Sequence, residues 1–283
     1  MGGAVTSEAI RAAAGELGLA GLPLEVHSSL SSFGRVEGGA ATVVDALLAE
    51  GCTVVVPTFT APLYLVEPPE AMRPDRNGVD YEALDARAGG ANRVFTPETN
   101  DVNSTMGAIP AEVLARPERV RGSNQLCSFA ALGPLADRVR EQRPLDVYAP
   151  LRILAAKDGW ALLIGVDLRS LTLLHLAEEK ARRRLFRRWA NGPDGKPMEV
   201  EVGSCSQGFL NFEPILAPLA RETLVGESRW IAYPARETLA LAAEAIRENP
   251  GITHCGDADC LRCRDADCLR CRDAVAGGPR LGS

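Results

Sequence analysis

The chain has 283 residues, of which 46% are hydrophobic and 24% charged; this suits one sizeable α/β domain and disfavours disordered or fibrous classes. The formal net charge of -6 argues against non-specific nucleic-acid binding, which needs a basic surface, and it is compatible with a cationic small-molecule substrate. No apolar run reaches the roughly 18 residues of a membrane span, and the N-terminus lacks a basic segment followed by an apolar one, so we expect a cytoplasmic protein without a membrane partner.

Strands and helices alternate along most of the chain, because apolar residues recur at helical spacing and then in short buried runs. This alternation predicts a layered α/β domain with a largely parallel or mixed sheet, whose ligands gather at loops beyond strand ends. The predicted elements are helix 6–17, strand 23–27, helix 38–50, strand 52–57, helix 109–115, helix 134–142, strand 160–166, a helix opening near Ser170, strand 198–205, a helix after Gly208, strand 228–234 and helix 236–248.

A long segment from Thr58 to Thr105 has no such periodicity. Pro, Gly, Asn and Asp are frequent there, and no single regular element fits the sequence. A loop of this length in a compact protein is usually functional or disordered.

The first candidate site is "VHSSLSSFGRVEGGA", residues 26–40. A strand is predicted to end at His27, serines and glycines follow, and a helix begins after Gly38. Backbone N–H groups and small hydroxyls therefore converge at a helix N-terminus, where a phosphate would be stabilised. The segment lacks the Lys of a P-loop and the glycine pattern of a dinucleotide fold, so a turn that only caps the helix is the alternative.

The second candidate is His175 in "TLLHLAEE". On a helix, Glu178 and Glu179 lie three and four residues further along the same face, so a carboxylate can orient the imidazole as a general base. A structural histidine on a mostly apolar face is the alternative. Two other features favour structural interpretations: the basic run 180–188 has the character of a solvated helix face, and Cys205 at a strand end is more often structural than an acyl-accepting nucleophile.

The C-terminal segment is rich in cysteine, and residues 257–264 are repeated without change as residues 265–272. We therefore divide the chain into a domain of residues 1–253 and a tail of residues 254–283. Thiolates and imidazoles are the usual ligands of zinc, so the tail offers a candidate zinc site. The first copy supplies the ligand set His254, Cys255, Cys260 and Cys263. Two CxxC pairs give the alternative set Cys260, Cys263, Cys268 and Cys271.

Five segments now combine into a resemblance. They are "VHSSLSSFGRVEGGAATVVDALLAEGCTVVVPTFT", "STMGAIPAEVL", "CSFAALGPLA", "APLRILAAKDGWALLIGV" and "TLLHLAEEKA". Their order is that of the signature segments of the aminoglycoside 3-N-acetyltransferase family, and the chain resembles that family from about residue 6 to residue 255. The resemblance implies a layered α/β/α fold with a central mixed sheet, distinct from the common GCN5-type acetyltransferase fold.

The resemblance further implies transfer of an acetyl group from acetyl-CoA to the 3-amino group of an aminoglycoside, a reaction that confers antibiotic resistance. His175 is then the base, oriented by Glu178 or Glu179, and a backbone N–H of the serine loop faces the oxyanion. The acceptor-binding residues would be Asp101, Asp146 and Asn124. The residues implied to bind the cofactor are His27, Ser28, Ser29, Leu30, Ser31, Phe33, Gly34, Pro57, Thr58, Ser104, Met106 and Gly107.

The sequence departs from the family pattern before "SF", where Asn124 and Gln125 occupy the positions of a His-Pro pair. This departure affects acceptor specificity more than CoA binding. The oligomeric state stays open between a monomer and a homodimer. Three alternatives also stay open: an acetyltransferase for a non-antibiotic amine, a zinc-binding interaction protein built on an inactive scaffold, and a two-step transfer through Cys205.

Overall fold

The computed structural model describes residues 3–74, 76–85, 89–90 and 92–266, with the backbone alone at 84 and 85. The strands in these residues are β1 (Pro23–Ser28), β2 (Thr53–Pro57), β3 (Val120–Arg121), β4 (Phe129–Leu132), β5 (Trp160–Ile164), β6 (Phe186–Asn191), β7 (Pro197–Val202), β8 (Arg221–Val225) and β9 (Ser228–Pro234). A seven-stranded sheet has the order β3-β4-β2-β1-β5-β9-β8. β1 pairs in parallel with β2 and β5, and the remaining pairs are antiparallel. The predicted mixed sheet is confirmed.

Helices cover both faces of this sheet. The α-helices in the described residues are α1 (Ser7–Glu16), α2 (Gly39–Ala49), α3 (Tyr81–Asp85), α4 (Ala108–Ala115), α5 (Ala149–Ala156), α6 (Leu173–Lys180), α7 (Glu213–Leu216), α8 (Ala235–Glu248) and α9 (Leu261–Ala266). One core contains side chains from α1, α2 and α4, and a second core, on the opposite face, contains side chains from α5, α6 and α8. The chain is therefore an α/β/α sandwich, as predicted.

The central strands are buried on both faces, which explains their uninterrupted apolar sequences. In β2, Val54 and Val56 pack in one core and Val55 packs in the other. In β5, Leu162 and Leu163 divide in the same way. Because successive side chains of a strand point to opposite faces, each apolar run contributes to both cores.

A hairpin of β6 and β7 stands apart from the sheet and packs against the irregular segment 58–105. Val66 and Val94 form isolated bridges with Trp189 and Asn191 of β6. Tyr64, Leu65 and Phe95 share a small apolar cluster with residues of the hairpin. The hairpin thus anchors two parts of the long segment.

The prediction that residues 180–188 form a solvated helix face is wrong. Helix α6 ends at Lys180, and β6 begins at Phe186. Arg183, Arg187 and Arg188 are buried. Arg187 pairs with Glu201 at 2.5 Å, and Arg188 donates to backbone carbonyls. These partners offset much of the cost of burying the charges, although Nε of Arg187 has no hydrogen-bond partner among the described residues.

Some other elements also differ from the prediction. Residues 136–141 form a 3-10 helix where an α-helix was expected, and the helix after Gly208 begins as a 3-10 turn. The sequence patterns predict no counterpart for β3, β4, β8 or α5. Two of these have weak sequence patterns, because β3 is two residues long and β8 is largely exposed.

The first part of the tail packs on the domain. Cys263 and Asp265 are buried, and the Asp265 carboxylate accepts a hydrogen bond from the backbone N–H of Gly78 at 2.8 Å. Among the helices in the described ranges, none combines the length and apolarity needed to cross a bilayer.

Candidate active site

Two adjoining cavities lie at the carboxyl ends of the parallel strands β1, β2 and β5. The smaller has a volume of about 310 Å³ and the larger about 680 Å³. Ser28, Thr105 and Val166 line both, so the cavities meet at these residues. Loops that follow parallel strands emerge at one edge of the sheet, which is where open α/β sheets bind ligands.

The larger cavity is lined mainly by small residues. Its wall includes Gly39 and Ala108, at the starts of α2 and α4, and neither helix start has a side-chain cap. Uncapped N–H groups at helix starts attract anions, and Arg35 adds a positive charge to the same wall. This cavity is therefore suited to phosphate groups.

Glycines shape this wall. Gly34 and Gly38 have φ angles of 76° and 73°, and Gly107, immediately before α4, has a φ angle of 87°. Residues with a Cβ rarely adopt such angles, so these positions let the backbone turn from β1 into α2 and from the long segment into α4.

His175 lines the smaller cavity from the first turn of α6. Its ring is stacked on Tyr148, with ring centroids 6.1 Å apart and planes 11° apart, and its centroid lies 4.7 Å from that of Phe209. Both neighbours belong to the core next to α6. The aromatic contacts therefore hold the plane of the imidazole.

Glu178 orients this imidazole. Its Oε2 lies 2.7 Å from Nδ1 of His175, the Ser204 hydroxyl donates to both carboxylate oxygens, and Arg183 donates to Oε1 at 3.0 Å. Burial alone would raise the pKa of Glu178, but the hydrogen bond and charge of His175, together with Arg183 and Ser204, lower that pKa below its usual value. An ionised Glu178 holds the Nδ1–H, which leaves Nε2 as the proton-accepting nitrogen.

His27 lines the same cavity but is more constrained. Its Nε2 lies 3.0 Å from Oε1 of the buried Glu25 and 3.3 Å from the backbone N–H of Thr172. Glu25 and Thr172 thus fix the His27 ring through Nε2, as Glu178 fixes the His175 ring through Nδ1.

Most residues that the resemblance implied for the cofactor line one of the cavities. The lining residues are His27, Ser28, Pro57 and Met106 in the smaller cavity and Ser28, Ser29, Leu30, Ser31, Gly34 and Gly107 in the larger. Three do not line either: Phe33 packs edge-on against Trp230, Thr58 is buried and donates to the carbonyl of Ser128, and Ser104 is exposed at the start of a 3-10 helix.

The residues implied for acceptor binding lie outside both cavity linings. Asp101 accepts from Tyr64 and Arg93, and Asp146 pairs with Arg152. The buried Asn124 bonds four backbone groups, of which the carbonyls of Pro144 and Glu201 accept from it. Glu179 likewise pairs with Arg152, at 2.9 Å, rather than with His175. Of the two carboxylates proposed to orient the base, Glu178 is the one in contact.

Several residues of the site were not singled out from the sequence. Thr105 lines both cavities, and Ser204 and Arg183 hold Glu178. Gly203 is also required, since a Cβ there would lie 2.5 Å from the Tyr148 hydroxyl and 2.8 Å from Cδ2 of His175. The signal in the sequence is the small-residue run "GSCS" at the end of the predicted strand 198–205.

The tail cysteines meet a residue of the domain. The sulfur atoms of Cys205, Cys255, Cys260 and Cys263 lie within 4.8 Å of one another, and His254 is not part of this group. Cys205 therefore faces the tail, whereas its neighbour Ser206 lines the smaller cavity. Cys268 and Cys271 of the alternative ligand set lie outside the described residues.

Comparison with known proteins gives consistent results. The family model described as aminoglycoside 3-N-acetyltransferase matches residues 26–247. The SPbeta prophage-derived aminoglycoside N(3')-acetyltransferase-like protein YokD of Bacillus subtilis is 33% identical over 165 residues, which cover 56% of this chain and 58% of that protein. Aminoglycoside N(3)-acetyltransferase III of a Salmonella species is 34% identical over 181 residues, covering 62% and 61%.

Solved structures share the fold. The apoenzyme of aminoglycoside acetyltransferase AAC(3)-IVa has a TM-score of 0.75 and 25% identity, covering 94% of this chain and 98% of that one. The binary complex of AAC-IIIb with CoASH has a TM-score of 0.71 and 23% identity, covering 87% and 97%. The matches to the first curated relatives span 56% to 64% of those proteins' length. The chain belongs to the aminoglycoside 3-N-acetyltransferase family.

Proposed function

We propose that the protein transfers the acetyl group of acetyl-CoA to the 3-amino group of an aminoglycoside, with His175 as general base, and thereby confers antibiotic resistance. The observation that carries this proposal is the His175–Glu178 pair, 2.7 Å apart, beside a cavity that meets a second cavity suited to phosphates. Family membership supports the same reaction.

The larger cavity is the proposed cofactor site. The helix starts at Gly39 and Ala108 and the Arg35 side chain supply positive charge for the phosphates of CoA. The thioester would then lie where the cavities meet, at Ser28, Thr105 and Val166. In support, AAC-IIIb, which shares the fold, was solved as a binary complex with CoASH.

The proposed reaction is a direct transfer. Nε2 of His175 accepts a proton from the acceptor amine while the nitrogen attacks the thioester carbonyl, and Glu178 stabilises the resulting imidazolium. The tetrahedral intermediate then expels the CoA thiolate, which receives a proton from His175. Cys205 takes no part, since its sulfur lies with the tail cysteines.

Ser28 is the proposed donor to the oxyanion. Its hydroxyl is buried at the junction of the cavities, and none of the described residues hydrogen bonds to it. A buried hydroxyl without a partner is costly unless a ligand satisfies it, and such donors contribute about 3 kcal/mol to stabilising the intermediate.

A second acceptor class is favoured by one observation. Among the described residues that line the smaller cavity, none carries a carboxylate. Apart from the histidines, the charged side chain in this lining is Arg169, which pairs with Asp167. An aminoglycoside is a polycation, and a mutant of AAC(3)-IVa was solved with a gentamicin bound. An amine that carries an anionic group would suit this lining better electrostatically.

The test measures release of free CoA from acetyl-CoA with deoxystreptamine aminoglycosides and, in parallel, with amines bearing a carboxylate. Mass spectrometry and NMR of the product identify the acetylated nitrogen. Acetylation at the 3-amino group supports the proposal. CoA binding without turnover of any aminoglycoside would contradict it, and turnover of anionic amines alone would establish the second acceptor class.

A further inference from the structure

Four cysteines from two distant parts of the chain converge beside the candidate active site. Cys205 follows β7 after two small residues, whereas Cys255, Cys260 and Cys263 come from the first part of the tail, leading into α9. Cys263 Sγ lies 3.5 Å from Cys255 Sγ, and all four thiols are free rather than disulfide-bonded. Cys205 and cysteines at least 50 residues further along the chain thus present their sulfurs to one point.

The geometry matches a single tetrahedral metal ion. A zinc ion bound by four thiolates at about 2.3 Å requires sulfur atoms about 3.8 Å from one another. The four sulfurs here lie within 4.8 Å of one another, so a small movement closes them on one ion. Thiols are weak hydrogen-bonding groups, and a gathering of four has little stabilising effect without a metal.

Contacts other than the sulfurs hold the tail in this position. The side-chain amide of Asn211 donates to the backbone carbonyls of Ile252 and His254, and the Asp265 carboxylate accepts from Gly78. A Cβ at Gly208 would lie 2.2 Å from the carbonyl oxygen of Thr253, so this glycine allows close approach. The arrangement of the cysteines therefore belongs to the packed fold.

We propose that Cys205, Cys255, Cys260 and Cys263 bind one zinc ion, and that the ion clamps the tail onto the loop that supports Glu178. Four protein ligands leave no open coordination position, so the site is structural. Cys205 replaces the His254 of the ligand set suggested by the sequence. The second copy of the repeat is not needed, because the four ligands are complete without Cys268 and Cys271.

The clamp reaches Glu178 from two sides. Ser204, adjacent to Cys205, donates to both carboxylate oxygens. Thr253, two residues before Cys255, accepts at 2.5 Å from the Arg183 guanidinium that binds Glu178. Loss of the ion would loosen both contacts and thus the His175 imidazole. This second step rests on the proposed function, whereas metal binding does not.

Metal content of the full chain tests the site. We expect about one zinc per chain after purification without chelators, and the cobalt-substituted protein should show the intense visible bands of tetrahedral thiolate coordination. Cys205→Ser and Cys263→Ser should each reduce metal content at least tenfold. His254→Ala, Cys127→Ser and the double variant Cys268→Ser with Cys271→Ser are matched controls that should retain the ion.

Absence of metal even after reconstitution with zinc would overturn the site, as would iron in its place. Retention in Cys205→Ser with loss in the double variant would assign the ion to the repeat instead. If Cys205→Ser does not fold, the wild-type spectrum and a thiol count decide. Zinc ligation predicts that all eight cysteines titrate as free thiols after unfolding without reductant, whereas disulfides lower the count.

Activity tests the clamp separately. Removing zinc from the folded protein should lower kcat at least fivefold while changing the KM for acetyl-CoA less than twofold, and zinc should restore the rate. If the protein binds zinc but removal of the zinc leaves kcat unchanged, the metal site is supported and the clamp is contradicted. If no aminoglycoside or other amine is a substrate, thermal unfolding with and without zinc, together with protection of residues 203–206 from hydrogen exchange, provides the readout.

Discussion

The two cavities of the candidate active site are built in different ways. The larger is lined mainly by residues of one segment, 28–39, and by residues around the start of α4, and the uncapped backbone N–H groups of two helix starts lie in its wall. In the smaller, His175 depends on side chains from separate segments, namely Glu178, Arg183 and Ser204. Backbone sites depend little on any single side chain, whereas a base held by a network depends on each member. The following predictions test this difference, from the largest expected effect to the smallest.

Replacing His175 with Ala should lower kcat at least about 100-fold, because the proposed general base for the amine would be lost. The measurement is CoA release at saturating acetyl-CoA. Binding of CoA, measured by calorimetry, should stay within twofold of the wild type. A rate unchanged by the substitution would remove His175 from the mechanism.

Glu178→Gln should lower kcat roughly tenfold to 100-fold, since an amide stabilises the imidazolium less well than a carboxylate. It should also change the pH dependence of stability. The pKa of Glu178 is lowered in the folded protein, so its stabilising contribution is present above the ordinary Glu value of about 4.3 and is lost as the pH falls through the folded-state pKa. The Tm of the variant should therefore lie below that of the wild type at neutral pH, and the two should converge once the pH falls below the lowered folded-state pKa of Glu178. Parallel curves would contradict this assignment.

Gly203→Ala should lower kcat about tenfold, because its Cβ would collide with Tyr148 and His175 and displace the imidazole. The KM for acetyl-CoA should change little, since Gly203 is not among the residues that line the larger cavity. Gly195→Ala is a useful contrast, since a Cβ at Gly195 meets no atom within 4 Å, although its φ of 76° adds some strain. Equal loss of kcat in both variants would indicate a general effect on folding.

The contiguous part of the site could be predicted from the sequence. A predicted strand is followed by a loop of serines and glycines and then by a predicted helix, and this order alone places Ser28 and Gly34 at the edge of the sheet. The apolar runs predict the central strands. His175 and Glu178 also lie within one helix turn.

The assembled part could not be predicted in this way. Ser204 reaches Glu178 only because the β6–β7 hairpin returns the chain to α6, and no periodicity encodes that tertiary contact. Buried arginines misled the prediction for 180–188, because a charged run has the same composition whether it faces solvent or internal carboxylates. Cys205 and the tail cysteines are 50 or more residues apart, so only the fold shows their convergence.

Arg35→Ala should raise the KM for acetyl-CoA by at most about fivefold and leave kcat unchanged, because an exposed charge contributes up to about 1 kcal/mol and the helix starts remain. The same variant should weaken the salt dependence of cofactor binding. A loss of 100-fold would mean that side chains, and not backbone groups, dominate the larger cavity.

Glu179→Gln should change kcat less than about twofold, although this residue lies next to Glu178 in sequence. Its carboxylate pairs with Arg152, and burial raises its pKa, so the site can accommodate a neutral side chain. Glu178→Gln, its neighbour and chemical equivalent, is the matched variant, and both are assayed for CoA release under the same conditions. The two glutamates are adjacent in sequence, but their carboxylates contact different side chains. A comparable loss in both variants would mean that acidity of the α6 face, and not the hydrogen bond to His175, supports the base.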